Sequence, residues 1–143
     1  MASVFEILRN KGDTVWTIQE TDTVYKGLQV MAEKDVGALV VLNSHGNVVG
    51  LFSERDYARK VILMGKSSLT TYIKDLMVTQ IHVVTSQDSI ELCMKLMTES
   101  HIRHLPVMED NELKGLISIG DVVNHLIKDQ KFQIKELTKY ITG

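Results

Sequence analysis

Proline, cysteine and tryptophan are nearly absent from this chain of 143 residues, which has one of each and nine glycines. So few prolines and glycines exclude a long disordered linker, because such linkers are rich in these residues. The single cysteine, Cys93, excludes an internal disulfide and a zinc site built from cysteines. Lysine and arginine number 16 against 18 acidic residues, a formal charge of −2. Without surplus positive charge, a role in binding nucleic acid is not expected.

Long hydrophobic runs are also missing. No stretch approaches the roughly 20 consecutive apolar residues that cross a bilayer, and residues 1–9 carry Glu6 where a secretion signal has an uncharged apolar block. A lone cysteine suits a reducing compartment. The sequence therefore predicts a soluble, cytoplasmic protein with no membrane partner. With 44% hydrophobic and 24% charged residues, it is long enough for one compact domain or two very small ones.

The chain contains one internal repeat. Residues 22–31, DTVYKGLQVM, align with residues 88–97, DSIELCMKLM, at an offset of 66. A deletion of one residue in the following turn changes the offset to 65, so that GLFSERD at 50–56 aligns with GLISIGD at 115–121. We therefore divide the chain into residues 1–72, an N-terminal extension with the first repeat, and residues 73–143, the second repeat with a C-terminal helix.

Hydrophobic periodicity changes in the same order in each copy. Apolar residues at helical spacing follow Asp22 and Asp88, which stand where helix N-caps are expected. Two β-rich runs joined by a turn come next, and a second helix follows them. The predicted strands are 15–18, 38–42 and 48–52 in the first copy and 82–84, 104–108 and 113–117 in the second, with second helices at 54–64 and 119–128. Each copy is thus predicted as a β-α-β-β-α unit, and the fold class as α+β.

The two units are expected to pack together through their sheets with pseudo-two-fold symmetry. Neither unit, at about 60 residues, would bury much of its surface alone. The segment 65–77 joins the copies. Amphipathic pieces at 4–8 and 132–141 are expected as short terminal helices that cap the pair or contact another subunit.

These features resemble the tandem CBS-domain proteins, whose paired domains are called a Bateman module, over roughly residues 15–126. The motifs that carry the resemblance are GALVV at 37–41, GLFSERDYARK at 50–60, IRHLPV at 102–107 and GLISIGDVV at 115–123. The resemblance is to small stand-alone proteins that consist of the CBS pair. It implies a regulatory nucleotide sensor that requires no cofactor and binds AMP, ADP, ATP, NAD(H) or S-adenosylmethionine. It also implies a homodimer or higher homo-oligomer, and leaves open a protein target of unknown identity.

The resemblance implies a ligand cleft that takes residues from both repeats. Asp121 is expected to accept hydrogen bonds from the ribose hydroxyls, with Ser118 and the helix N-terminus beside it. Arg103 and His104 occupy the phosphate-facing positions, and Arg55 reaches the cleft from the first repeat. The other residues expected here are the base slot, Val15, Trp16 and Val36, together with Gly37, Ala38 and Leu116.

The symmetry-related cleft is expected to be weak, empty, or filled by the other half of a dinucleotide, because it lacks two cations. Gly37 stands at the position equivalent to Arg103, and Gly120 at the position equivalent to Arg55. The residues expected at this second cleft are Ser53, Asp56, Ile81, His82, Ile102 and Gly120.

Three cations outside these sets, Lys11, Arg59 and Lys66, could serve an extended ligand such as NAD(H), and His125 is expected to be solvated. No nucleophile–base pair, metal motif or glycine-rich phosphate loop is recognisable. Neither an enzyme nor a metal site is therefore expected.

Purely structural interpretations stay open for several of these residues. Ser-x-x-Asp is also the pattern of a helix capping box, at Asp56 as well as at Asp121. Trp16 could be a core aromatic residue, and the charged residues of 54–60 could form a solvated helix face. The alternative function is accordingly a structural or protein-interaction CBS pair with a vestigial, ligand-free cleft.

Overall fold

The computed structural model describes the backbone of residues 2–12 and 14–142, with side chains up to residue 139. By packing, the chain forms two compact units. The first unit is Thr14–His82, and the second unit combines Met1–Asp13 with Val83–Gly143. The division at residues 72 and 73 stays a prediction about the sequence repeat, whereas packing groups residues 73–82 with the first unit and the N-terminal segment with the second.

The helices and strands follow the predicted order. In chain order they are α1 (Val4–Lys11), β1 (Thr17–Gln19), α2 (Val24–Lys34), β2 (Ala38–Leu42), β3 (Val48–Ser53), α3 (Glu54–Asp56), a π-helical turn (Tyr57–Ile62), α4 (Ile73–Leu76), α5 (Ile90–Ser100), β4 (His104–Glu109), β5 (Glu112–Ser118) and α6 (Ile119–Thr142). The α+β class and the two hairpins are thereby confirmed. The regular helix predicted at 54–64 was wrong in part, because α3 passes into the π-helical turn after three residues.

The two sheets differ in their first strand. In the first unit β1 pairs in parallel with β2, and β2 pairs antiparallel with β3. In the second unit β4 and β5 form an antiparallel hairpin, and Val84 makes only an isolated parallel bridge to Val107. The strand predicted at 82–84 was therefore too long. Val40 donates its N–H to the carbonyl of Trp16 at 3.3 Å, but the equivalent residue of the second unit is Pro106, which has no N–H to continue the ladder.

Helices α2 and α5 begin with caps one residue later than predicted. Thr23 and Ser89 are the caps, and each hydroxyl accepts a hydrogen bond from a backbone N–H three residues on, at 3.2 and 3.1 Å. The carboxylates of Asp22 and Asp88 instead accept from a backbone N–H three residues before them, at 3.0 and 2.8 Å. The aspartates therefore close the turn that leads into each helix.

Each unit receives one helix from outside its own repeat. Ile73 and Leu76 of α4 are buried in the core of the first unit, and Val4 and Ile7 of α1 are buried in the core of the second. The first residue of each helix donates its N–H to the carbonyl of the aspartate described above, at 2.9 Å in both units. The N-terminal helix and the segment between the repeats thus complete the two cores in equivalent ways.

The two cores share six pairs of equivalent positions, and each core adds residues of its own. The first contains Ile18, Val24, Met31, Leu39, Val41, Phe52 and Val61, and the second contains Val84, Ile90, Cys93, Met97, Leu105, Val107, Ile117 and Val122. Full burial of an aliphatic or phenyl side chain of this size contributes about 1.5–3 kcal/mol.

One continuous helix, α6, replaces the two helices predicted at 119–128 and 132–141. No proline or glycine follows Gly120 within the helix, so nothing in the sequence ends it. Residues 131–139 are exposed, and they include Phe132, Ile134 and Leu137, each more than 60% exposed. The side chain of Ile141 lies outside the described residues. None of the helices in the described ranges is long and apolar enough to cross a bilayer.

Candidate functional site

The turn between β5 and α6 holds Ser118 and Asp121 in reciprocal hydrogen bonds. The backbone N–H of Ser118 donates to Oδ2 of Asp121 at 2.8 Å, and the N–H of Asp121 donates to Oγ of Ser118 at 3.1 Å. These bonds form a capping box at the start of α6. The interpretation of Ser-x-x-Asp as a capping box is therefore confirmed here. Within the carboxylate, the capping bond involves only Oδ2.

A second partner of this carboxylate comes from α1. Nζ of Lys11 lies 2.6 Å from Oδ2 of Asp121 and 2.7 Å from the carbonyl oxygen of Leu116. Within the described residues, every hydrogen bond to Asp121 ends on Oδ2. The other oxygen, Oδ1, has no hydrogen-bond partner within that part of the chain.

The ionisation of Asp121 is set by the same contacts. Partial burial raises the pKa of this carboxyl, but the hydrogen bond and charge of Lys11 and the N–H of Ser118 outweigh burial, so that the pKa lies below its usual value. The carboxylate is therefore ionised at neutral pH and acts only as an acceptor.

Arg103 and His104 lie next to this turn. Ile119 donates its N–H to the carbonyl of Arg103 at 2.9 Å, and His104 is the antiparallel partner of Ser118. The Arg103 side chain is exposed and forms no salt bridge with any residue that the structure describes. The second unit thus brings together four of the predicted residues, Arg103, His104, Ser118 and Asp121.

The equivalent turn of the first unit is more fully satisfied. The N–H and hydroxyl of Ser53 both donate to Oδ2 of Asp56 at 3.0 Å, and Nζ of Lys60 lies 3.5 Å from Oδ1. Gly37 lies beside this turn, because its carbonyl accepts the N–H of Glu54 at 3.0 Å. A Cβ at Gly37 would meet nothing within 4 Å, so the space for a longer side chain is present without the cation.

Three other predicted residues of the first unit, Trp16, Ala38 and Arg55, differ in how far they are exposed. The indole of Trp16 is 38% exposed, and Nζ of Lys34 lies 4.4 Å from its ring centroid, a cation–π contact. Trp16 is thus not a core residue. Ala38 is buried, with 4% of its surface exposed. Arg55 is exposed on α3 and has no salt-bridge partner among the described residues.

The remaining predicted residues divide between the units. Val15, Val36, Ile81 and His82 belong to the first unit, and Ile102, Leu116 and Gly120 to the second. That residues of both units share one cleft stays a prediction.

A cavity of about 110 Å³ adjoins Asp121 in the second unit. It is lined by Ile7, Asn10, Lys11, Asp121, Asn124, His125 and Lys128, all from α1 and α6. This volume is well below the about 300–1,000 Å³ of ligand pockets, so alone it accommodates only a fragment of a nucleotide. The expectation that His125 is solvated was wrong, because α1 packs on α6 and brings Oε2 of Glu6 to 3.6 Å from Nε2 of His125.

Sequence reasoning assigned Lys11 only as a spare cation and gave α1 no specific place. One signal was present, because Val4, Ile7 and Leu8 repeat the spacing of Ile73, Leu76 and Met77. That correspondence indicates that the two segments do the same structural task.

Comparison with known proteins decides the family. A family model described as the CBS domain matches residues 4–63 and, a second time, residues 73–128. The chain belongs to the CBS-domain family. This CBS pair is 36% identical to the CBS domain-containing protein CBSX3, mitochondrial, of Arabidopsis thaliana, over 99% of this chain and 72% of the relative.

Solved structures agree with this assignment. A CBS-domain protein from Burkholderia ambifaria, described as a candidate for signal transduction, has 42% identity and a TM-score of 0.85, covering 90% of this chain and 96% of that one. A hexameric CBS-CP12 protein from bloom-forming cyanobacteria has 27% identity and a TM-score of 0.78, covering 86% of this chain and 70% of that one. The tandem CBS resemblance is therefore confirmed, and with it membership of a family of regulatory CBS pairs.

Proposed function

We propose that this CBS pair is a regulatory module that binds an adenine nucleotide, such as AMP or NAD(H), between its two repeats. The observation that carries the proposal is the carboxylate of Asp121, which is ionised, partly buried and held through Oδ2, while Oδ1 has no hydrogen-bond partner among the described residues. A ribose presents hydroxyl donors that a fixed carboxylate accepts well, because a charged acceptor forms the stronger hydrogen bonds.

Cations near this carboxylate support a phosphate position. Arg103 is exposed, has no salt-bridge partner in the described ranges, and immediately precedes β4 beside the Asp121 turn. Its planar guanidinium can bind two phosphate oxygens at once. Arg55 is proposed to join it from the first repeat, and the exposed indole of Trp16 to stack on the base, with Val15 and Val36 beside it.

Of the two nucleotide sites, the one at Asp121 is proposed to bind more tightly than the one at Asp56. Both oxygens of Asp56 already have partners, whereas Oδ1 of Asp121 has no hydrogen-bond partner in the part of the chain that the structure describes. Gly37 and Gly120 contribute no charge where the Asp121 site has Arg103 and Arg55. One nucleotide per chain is therefore expected at moderate concentrations.

Regulation would follow from a shift between conformations. A ligand that contacts both repeats stabilises one of their relative orientations, and a protein target or a second copy of the chain responds to it. We propose a homodimer or larger homo-oligomer, as in the hexameric CBS-CP12 relative, no required cofactor and no enzymatic activity. The proposed compartment is the cytoplasm, although one relative is named as mitochondrial.

Isothermal titration of nucleotide-stripped protein tests the proposal, with AMP, ADP, ATP, NAD+, NADH and S-adenosylmethionine as ligands. We expect binding in the micromolar range, about −8 kcal/mol, at one site per chain. Asp121→Ala should abolish this binding. Asp129→Ala, on the exposed face of the same helix, is the matched control and should leave binding unchanged. If the protein is folded and none of these ligands binds, the result would favour the alternative function of a protein-interaction module.

A further inference from the structure

The two units neutralise their equivalent aspartates in different ways. In the first unit the cation is Lys60, one helical turn after Asp56, with Nζ 3.5 Å from Oδ1. The position equivalent to Lys60 in the second unit is His125, whose imidazole faces Glu6 of α1 instead. The cation on Asp121 is Lys11, which lies 110 residues away in sequence.

Lys11 is held at a defined point. Its ammonium group contacts two acceptors, Oδ2 of Asp121 at 2.6 Å and the carbonyl oxygen of Leu116 at 2.7 Å. The helix that carries it is anchored, because Val4 and Ile7 are 0% and 3% exposed in the core of the second unit. Two acceptors and an anchored helix thus place the ammonium group beside the Asp121 carboxylate, although 34% of the Lys11 side chain is exposed.

This arrangement determines which oxygen of Asp121 is available. Lys11 and the N–H of Ser118 both contact Oδ2, so Oδ1 is the carboxylate oxygen that has no hydrogen-bond partner in the described ranges. In the first unit Nζ of Lys60 lies 3.5 Å from Oδ1, so both carboxylate oxygens of Asp56 have a partner. The cation beside Asp56 comes from the helical segment that follows it, whereas the cation beside Asp121 comes from α1. This difference in origin accounts for the difference in which carboxylate oxygen the cation contacts.

We propose that Lys11 is a positioning residue of the nucleotide site, through which α1 fixes the orientation of the Asp121 carboxylate and is coupled to occupancy of the site. The ligand part of this inference rests on the proposed function, whereas the link between Lys11 and Asp121 does not. Coupling is reciprocal: if docked α1 strengthens nucleotide binding, then bound nucleotide stabilises the docking of α1 by the same factor. α1 is therefore a candidate for the element that reports occupancy.

The first test needs no ligand. The carboxyl 13C signal of Asp121 is titrated by NMR in the wild type, Lys11→Met, Lys11→Arg and Lys114→Met. Lys114 pairs with Glu112 on the exposed hairpin of the same unit at 2.8 Å, so its loss controls for one missing charge. We expect the pKa of Asp121 to rise in Lys11→Met, to return toward the wild-type value in Lys11→Arg, and to be unchanged in Lys114→Met. An unmoved pKa in Lys11→Met would overturn the inference.

The second test adds AMP as the probe. We expect Lys11→Met to bind AMP about tenfold more weakly than the wild type, with partial rescue by Lys11→Arg, and AMP to slow hydrogen exchange of the α1 amides in the wild type. Equal AMP affinities in Lys11→Met and the wild type would contradict the positioning role. If wild-type protein binds no AMP, the proposed function fails for this ligand, and the carboxyl titration still decides whether Lys11 contacts the Asp121 carboxylate.

Discussion

Single residues in this CBS pair take their chemistry from neighbours that are distant in sequence. Asp121 has a depressed pKa because Lys11, across the second unit, donates to it and outweighs the effect of its burial. A carboxyl whose pKa is lower in the folded state stabilises the fold above its unfolded pKa of about 3.9 and loses that contribution as the pH falls through the folded pKa.

The resulting prediction concerns acid stability. We expect the free energy of unfolding to fall less steeply in Asp121→Asn than in the wild type as the pH is lowered from 5 toward 2.5, because the variant has no carboxyl to protonate. Urea unfolding at a series of pH values measures this difference. Parallel pH profiles for the two proteins would contradict a depressed pKa at Asp121.

Cys93 is the second residue whose environment fixes its reactivity. Burial, with a smaller contribution from the charge of Asp88, raises the pKa of this thiol to about 11. The reactive thiolate is then scarce at pH 8. We expect a thiol reagent to leave the native protein unlabelled at pH 8 and to label one thiol per chain in 6 M urea. Rapid labelling without denaturant would show that the core around Cys93 opens readily.

At the scale of elements, both hairpins depend on a glycine where another segment crosses closely. A Cβ at Gly50 would lie 2.8 Å from the carbonyl oxygen of Val78 and 2.8 Å from Sδ of Met77. A Cβ at the equivalent Gly115 would lie 2.7 Å from Cδ2 of Leu8. One obstacle includes backbone, while the other is the end of a flexible side chain.

The two alanine substitutions should therefore differ in cost. We expect Gly50→Ala to lower the free energy of unfolding by about 1–3 kcal/mol, as overpacking against fixed atoms does. Gly115→Ala should cost less, because Leu8 can change its rotamer. Chemical denaturation of both variants measures the difference, and a larger loss for Gly115→Ala would contradict this account.

At the scale of the whole molecule, the chain is not two consecutive blocks. The N-terminal helix α1 completes the core of the second unit, and α4, between the repeats, completes the core of the first. The two repeats are consecutive in sequence. However, α1, which precedes the first repeat, packs in the core of the second unit, and α4, which follows the first repeat, packs in the core of the first unit.

A double substitution in α1 tests this organisation. We expect Val4→Ala with Ile7→Ala to destabilise the second unit by about 3 kcal/mol or more, because both side chains are buried there. Hydrogen exchange should then accelerate in β4 and β5 more than in β2 and β3. Equal acceleration in both hairpins, or acceleration confined to the first, would argue against the assignment of α1 to the second unit.

Much of this architecture follows from local patterns. The predicted runs at 38–42 and 104–108 fall on β2 and β4 to within one residue, because a short apolar run followed by turn residues is a strand signal that is local in sequence. The Ser-x-x-Asp turns are equally local, since Ser118 and Asp121 are only three residues apart. Self-similarity and hydrophobic periodicity were therefore sufficient for the α+β class and the two repeats, whereas Asp56 and Asp121 became candidate ligand residues only through the resemblance to CBS pairs.

Other features depend on contacts that leave no periodic trace. The short first strand of the second unit depends on Pro106 opposite it, and the length of α6 on the absence of any residue that ends a helix. The partner of Asp121 could not be read from its neighbours in sequence, because α1 reaches it only after the second unit has closed its core around Val4 and Ile7. Only tertiary packing decided which cation contacts Asp121. A salt bridge requires that the two charged groups be close in space, and residues far apart in sequence, such as Lys11 and Asp121, can meet that requirement.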